Sequence, residues 1–90
     1  MPAGVVVLLS VFVESQELEN VSNALLRLPQ VTDLYEVTGE YDLVALISTD
    51  SITAWRELLK NKILKIKGIR STVSAVIIHT HKKQGKAVAD

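Results

Sequence analysis

Gly39-Glu40-Tyr41-Asp42 gathers a glycine, a tyrosine and two carboxylates into four consecutive positions. They lie where two strand-like runs meet, Val31–Thr38 and Tyr41–Ser48. Read as a hairpin, Gly39 and Glu40 are the central turn residues, and glycine in the first place suits a type II′ turn, which requires φ > 0 there. Thr38 then faces Tyr41, Val37 faces Asp42, and the pairing runs outward through Glu36–Leu43 and Tyr35–Val44. Asp42 comes to rest at a strand terminus beside exposed turn amides, so hydrogen-bond donors stand next to an acceptor carboxylate. The plainer reading of the same residues is a hairpin tip with a solvated Asp.

Other reactive groups form no comparable set. His79 and His81 stand two apart on one strand face, a spacing that can grip a metal edge-on, but no third ligand is evident and the chain has no cysteine. No metal and no cofactor is therefore predicted. Lys60, Lys62, Lys65, Lys67 and Arg70 form a basic run with no interleaved aromatics. Such a run more often solvates a helix face and complements its C-terminal dipole than it binds nucleic acid. Met1-Pro2 ahead of a strand resembles the start of tautomerases, whose amino-terminal proline is a general base. That chemistry needs arginines beside it, and Arg27, Arg56 and Arg70 fall on later segments. The histidines lack an acid partner and the serines sit on strands or caps, so no nucleophile–base pair is present and no catalytic residue is predicted.

The elements that must position the turn follow from periodicity. Gly4 to Val13 is apolar at both parities and rich in β-branched residues, as in a strand buried on both faces. Ser15 is placed to cap a helix bearing Leu18, Val21, Leu25 and Leu28, which Pro29 stops; Glu17 and Glu19 suit its first turn. After the hairpin, Asp50 or Ser51 caps a second helix bearing Ile52, Trp55, Leu59, Ile63 and Ile66, ended by Gly68. Ile69 to Thr80 is the last strand. Residues 1–81 form one domain, and residues 82–90, polar or small, are expected to trail as a loose tail. The order β-α-β-β-α-β, with helix, breaker and strand repeated at Leu28-Pro29-Gln30-Val31 and Lys67-Gly68-Ile69, predicts an α+β ferredoxin-like sandwich. Its four-stranded antiparallel sheet has both helices on one face.

Two helices cover one face of a sheet, yet the first strand is apolar on both. Val6, Leu8 and Phe12, with neighbours from the last strand, would each forgo roughly 1.5–3 kcal/mol of burial if left in water. This predicts a homodimer packed sheet to sheet. The composition agrees: 48% hydrophobic and 22% charged residues in a chain of 90, with ten acidic residues balancing ten basic ones. Zero net charge gives no field for nucleic acid and favours self-association. The apolar run Val5–Val13 is too short to span a bilayer. With no signal sequence read and no cysteine, a cytoplasmic location is expected.

Val37-Thr38-Gly39-Glu40-Tyr41-Asp42-Leu43-Val44, a Trp-bearing second helix, Ile66-Lys67-Gly68-Ile69 and Ser71-Thr72-Val73-Ser74 together resemble the effector-binding (RAM) domain of Lrp/AsnC transcription regulators. The resemblance spans roughly residues 4 to 80. It implies the same fold, a sheet-to-sheet dimer, rings of four or five dimers (octamer or decamer), and amino-acid effectors held between dimers. Gly39, Tyr41 and Asp42 match the family's turn, where backbone amides and the carboxylate meet the ligand's charged α-groups. Thr72 and Ser74 match hydroxyl positions lining the cleft. A zwitterion needs an acceptor for its ammonium and donors for its carboxylate, which such a turn supplies. Two positions depart from the pattern: the family usually has Thr where Ser74 stands, and Glu40 adds a second acid. That acid would favour a basic ligand or simply point outward.

Regulators of this family place a helix-turn-helix module before the effector domain, whereas here the first strand follows Met1 almost at once. The expectation is a stand-alone effector-binding domain that makes no direct DNA contact. It would bind a small molecule, oligomerise, and act on transcription by co-assembling with a full-length Lrp/AsnC regulator. The competing readings are a structural scaffold and, behind it, a small ferredoxin-like enzyme of tautomerase type.

Overall fold

The computed structural model describes residues 4–89. The strand β1 (Val5–Val13) leads through a 3₁₀ turn, Ser15–Glu17, into α1 (Leu18–Leu26). The strands β2 (Val31–Glu36) and β3 (Leu43–Thr49) follow, then α2 (Ile52–Asn61), a second 3₁₀ turn at Ile63–Lys65, and β4 (Ile69–Val76). All four strands pair antiparallel in the order β2-β3-β1-β4, the ferredoxin-like arrangement expected. Register sorts the side chains by face. Val7, Leu9 and Val11 lie opposite Ile47, Ala45 and Leu43, and all six are buried beneath Val21 and Leu25 of α1, Trp55 and Leu58 of α2, and Ile63. Val6 and Leu8, of opposite parity, remain 36% and 39% exposed. Both helices therefore cover one face, and the other is open.

Helix boundaries depart from the expected ones for local reasons. Ser15 caps nothing. The Glu14 N–H donates to the Gly68 carbonyl at 2.8 Å and the Glu17 N–H to the Glu14 carbonyl, which commits this segment to a 3₁₀ turn and delays α1 to Leu18. At α2 the expected cap holds, with Ser51 Oγ accepting from the Ala54 N–H at 3.0 Å. The single helix expected through Ile66 breaks after Asn61, and the 3₁₀ turn brings Ile63 into the core. Leu58, not Ile52, completes the buried stripe with Trp55; Ile52 in the first turn is 55% exposed.

The last strand was expected to reach Thr80 but ends at Val76, apart from one further bond from the Ile77 N–H to the Val6 carbonyl. The ladder stops short of the start of β1: Val76 is opposite Val7, with Val5 and Val6 of β1 lying beyond it, and the chain leaves the sheet ahead of the hairpin that follows. Residues after His81, expected as a loose tail, form a hairpin of β5 (Lys82–Lys83) and β6 (Lys86–Ala87), turned at Gln84 and Gly85, both with positive φ. Met1 and Pro2, which carried the tautomerase resemblance, lie outside the described residues. Among the described residues no helix is long and apolar enough to cross a membrane.

Gly68 joins the two halves of the domain. Its φ is +104°, and a Cβ there would fall on the Glu17 Cβ and within 3.1 Å of Val21 Cγ2. Gly39, at φ +112°, has open space around it. Gly68→Ala should therefore cost about 3 kcal/mol, combining left-handed backbone strain with displacement of the α1 lead-in. That would lower the melting temperature by roughly 10–20 °C in a domain of this size. Gly39→Ala should cost only about 1–2 kcal/mol. Equal melting temperatures for the two variants would show that the packing at Gly68 contributes nothing.

Candidate functional site

The β2–β3 connection keeps the expected register, with Tyr35 opposite Val44 and Glu36 opposite Leu43. Its tip is wider than a two-residue turn. The innermost backbone bond is from the Val37 N–H to the Asp42 carbonyl, at 3.1 Å, leaving Thr38–Tyr41 as a loop without the expected Thr38–Tyr41 pair. Two attachments to β1 hold the loop open. The Tyr41 ring packs on Phe12 with centroids 4.8 Å apart. The Asp42 N–H donates to the Val11 carbonyl at 3.0 Å.

Asp42 is not a simple solvated carboxylate. Its Oδ2 accepts from the Val13 N–H at 2.8 Å, where β1 shifts register between Phe12 and Val13 and its pairing with β3 has just ended at Val11–Leu43. The side chain stands in for the carbonyl that a longer β3 would have offered. An Asp at a strand start is the one hint legible beforehand, but the acceptor's destination depends on β1, about thirty residues away. Oδ1 makes no protein hydrogen bond among the described residues. Gly39 and Glu40 are exposed, while Tyr41 and Asp42 are half-buried.

Thr72 and Ser74 occupy β4, opposite Val11 and Leu9, so both point to the helix-covered side at the sheet's edge. Thr72 is half-buried and Ser74 exposed. Val11 pairs with Leu43 on one side and with Thr72 on the other. The loop and the β4 hydroxyls therefore share one end of the sheet but stand on opposite sides of β1, roughly 10 Å apart at ordinary strand spacing. One chain does not bring the six residues into a single pocket. Two clefts among the described residues lie at the other end, around Gln30. The larger, about 290 Å³, is lined by Gln30, Ala54, Glu57, Leu58, Asn61 and Lys62, and contains none of the six.

The remaining polar groups fall into place around this frame. Lys67 reaches Glu17 at 4.0 Å and Arg70 reaches Glu14 at 3.6 Å, so the end of the basic run is tied to the α1 lead-in. The Tyr35 hydroxyl donates to Asp33 Oδ2 at 3.2 Å; this bond, and then the Asp33 charge, push the phenol pKa above its ordinary value. The His79 and His81 rings meet edge to face with centroids 4.5 Å apart. Among the described residues, no group of three or more His, Cys, Asp or Glu side chains is placed to hold a metal.

Asp42→Ala would strand the Val13 N–H and should cost about 1–3 kcal/mol, whereas Asp42→Asn retains an acceptor oxygen and should cost well under half of that. Urea unfolding of the two variants checks the assignment. Equal losses would mean that the bond to Val13 is not what holds Asp42.

Comparison with known proteins places this geometry. The family model of the Lrp/AsnC ligand binding domain matches residues 6–87. The HTH-type transcriptional regulator Ptr1 of Methanocaldococcus jannaschii is 27% identical over 82 residues, covering 91% of this chain and 55% of that protein. The chain spans about half the length of the curated relatives it matches. Among solved structures, Escherichia coli AsnC superposes with a TM-score of 0.85 at 25% identity, over 89% of this chain and 54% of that one. FFRP-DM1 superposes at 0.79 with 28% identity, over 82% of this chain and 99% of that one. A transcriptional regulator of Neisseria meningitidis, solved as an L-Met complex, shares the fold at TM-score 0.82 and 15% identity, over 94% of this chain and 56% of that one. By the match of residues 6–87, this chain belongs to the Lrp/AsnC ligand-binding family.

Proposed function

We propose that this chain is an amino-acid-sensing regulatory module that dimerises through its open sheet face and acts on transcription by co-assembly with a DNA-binding member of its family. The observation that carries the reading is the Gly39–Asp42 loop. Its exposed tip offers backbone N–H donors to a carboxylate, while Asp42, oriented by Val13, keeps Oδ1 for an ammonium. The Neisseria regulator solved with L-Met supports an amino acid as the ligand class. Glu40, exposed beside the loop, would favour a basic side chain if it turns inward.

Assembly is part of the same reading. The open face presents Val6, Leu8, Val73 and Ile77 to water, an apolar surface that a second copy would cover. Thr72 and Ser74 stand away from the loop of their own chain, so a neighbouring chain would have to bring the two sets together, as in a cleft between dimers of an octamer or decamer. The solved chain of FFRP-DM1, 99% of which is covered by the match, has about this span and supports the reading.

Two measurements test these claims. In a thermal-shift panel of the twenty amino acids, a ligand at a hundred times its dissociation constant should add about 2.7 kcal/mol. That corresponds to roughly 10–20 °C for a free domain of this size, and less within a large assembly. Asp42→Asn should remove the shift; a shift that survives it would displace the site from this loop. A flat panel with wild-type protein would leave the scaffold reading in its place. Separately, Leu8→Asp should convert the wild-type dimer to a monomer in a dilute-solution mass measurement, and a wild-type chain that is already monomeric would refute the sheet-face dimer.

A further inference from the structure

The chain's zero net charge conceals a separation. Residues 1–57 contain nine acidic side chains and only Arg27 and Arg56 as basic ones, whereas residues 58–89 contain eight lysines and arginines and no acid. The fold carries this division to opposite edges of the sheet. The edge strand β2 bears Asp33 and Glu36, with Glu40 in the loop that follows. At the far edge, β4 runs into the hairpin bearing Lys82, Lys83 and Lys86. Among the described residues the ion pairs made by lysine and arginine are Lys67–Glu17 and Arg70–Glu14, and neither involves the hairpin lysines or the acids of β2.

The hairpin itself lacks support. Its turn is well suited, because Gln84 (φ 50°) and Gly85 (φ 80°) both adopt the positive φ that a type I′ connection needs. Yet two strands alone are marginal in water, every residue of the hairpin is exposed, and Lys83 lies directly opposite Lys86. Like charges in facing positions repel. An acidic surface against the hairpin would cancel that repulsion. Within its own chain, the hairpin is separated from β2 by β1 and β3.

We infer that the β5–β6 hairpin of one copy docks along the free edge of β2 in another, setting Lys82, Lys83 and Lys86 against Asp33 and Glu36. The free edge of β2 presents unpaired backbone groups over six residues, and an added strand would use them. The charges suit both faces of such a pairing. Asp33, opposite Leu46, lies on the open side, and Glu36, opposite Leu43, lies on the helix side. In the hairpin, Lys82 projects from one face and the Lys83–Lys86 pair from the other. The contact is heterologous, hairpin to edge, so it propagates from copy to copy and joins dimers instead of forming them. It goes beyond the proposed effector site, does not use that site, and meets the open sheet face only at Asp33. A nucleic-acid partner is disfavoured because residues 58–89 contain no Phe, Tyr or Trp to stack on bases, and an acidic half belongs to the same chain.

The test is sedimentation of the full chain, near 20 mM and near 0.5 M salt, where the Debye length contracts from about 20 Å to a few Å. Wild-type protein should sediment at low salt as a species larger than its high-salt unit. The pair Lys83→Glu with Lys86→Glu, and separately the pair Asp33→Lys with Glu36→Lys, should each weaken the larger assembly at least tenfold at low salt. Mixing the two variants should restore it, because the reversed edges are again complementary. Circular dichroism melts confirm that both remain folded. Wild-type assembly by the lysine variant, or loss in both variants without restoration on mixing, overturns the proposal. It is equally overturned if the hairpin substitutions abolish retardation of a DNA duplex while leaving self-assembly intact. The mass of the high-salt unit reports on the sheet-face dimer independently, so failure of one contact is not mistaken for failure of the other.

Discussion

β1 is hydrogen-bonded on both sides and covered on only one face. It runs between β3 and β4, and its odd positions Val7, Leu9 and Val11 are fully buried under the helices. The even positions are nearly as apolar and meet water. A small domain has only about 5–15 kcal/mol of net stability, and each uncovered aliphatic side chain on that face forgoes roughly 1.5–3 kcal/mol. A few such residues therefore amount to a substantial fraction of what holds the chain folded. The fold buries one face of the central strand and leaves apolar surface on the other, where a second sheet can reach it.

The candidate site depends on that strand too. Val11 pairs with Leu43 and Thr72, Val13 orients Asp42, and Phe12 carries the Tyr41 ring. Apart from the Val37–Asp42 bond of its own hairpin, the loop tip is attached to three consecutive residues of β1, and Phe12 belongs to the open face. A displacement of Asp42 or Tyr41 would act on the register shift at Phe12–Val13, and through it on the open sheet face. This is a short mechanical path from loop to open face, built from hydrogen bonds and one ring contact.

The fold was legible where the signal was long and periodic. Nine residues of β1 apolar at both parities, two stretches with helical spacing and a glycine-marked hairpin leave little besides β-α-β-β-α-β. What escaped the reading was set by partners distant in sequence. β4 stops at Val76, short of the start of β1 at Val5, as the chain leaves the sheet for the hairpin that follows. The break in α2 follows from where Ile63 meets the core, and Ser15 fails to cap because Gly68 claims the Glu14 N–H. The C-terminal hairpin was missed because Gln-Gly lacks the Asn or Asp that usually announces a type I′ turn. Of the candidate residues, Gly39–Asp42 could be picked out as a cluster. That Thr72 and Ser74 would lie across β1 required the pairing register.

The apparent duplication of the two halves also conceals an asymmetry that bears on how the edges behave. Pro29 separates α1 from β2, where the Val31 N–H donates to the Leu28 carbonyl and the Ser48 N–H of β3 donates to the Gln30 carbonyl. Gly68 does more: its carbonyl holds Glu14, its missing Cβ makes room for Glu17, and the flanking Lys67 and Arg70 reach Glu17 and Glu14. The start of β4 is thus fixed to the β1–α1 connection by backbone, packing and charge together, although exposed pairs of this kind contribute little singly. Its far end has one bond to Val6 and then runs into an uncovered hairpin. A strand tied most strongly at its start holds Thr72 in place near its root and leads, past Val76, into the exposed basic hairpin.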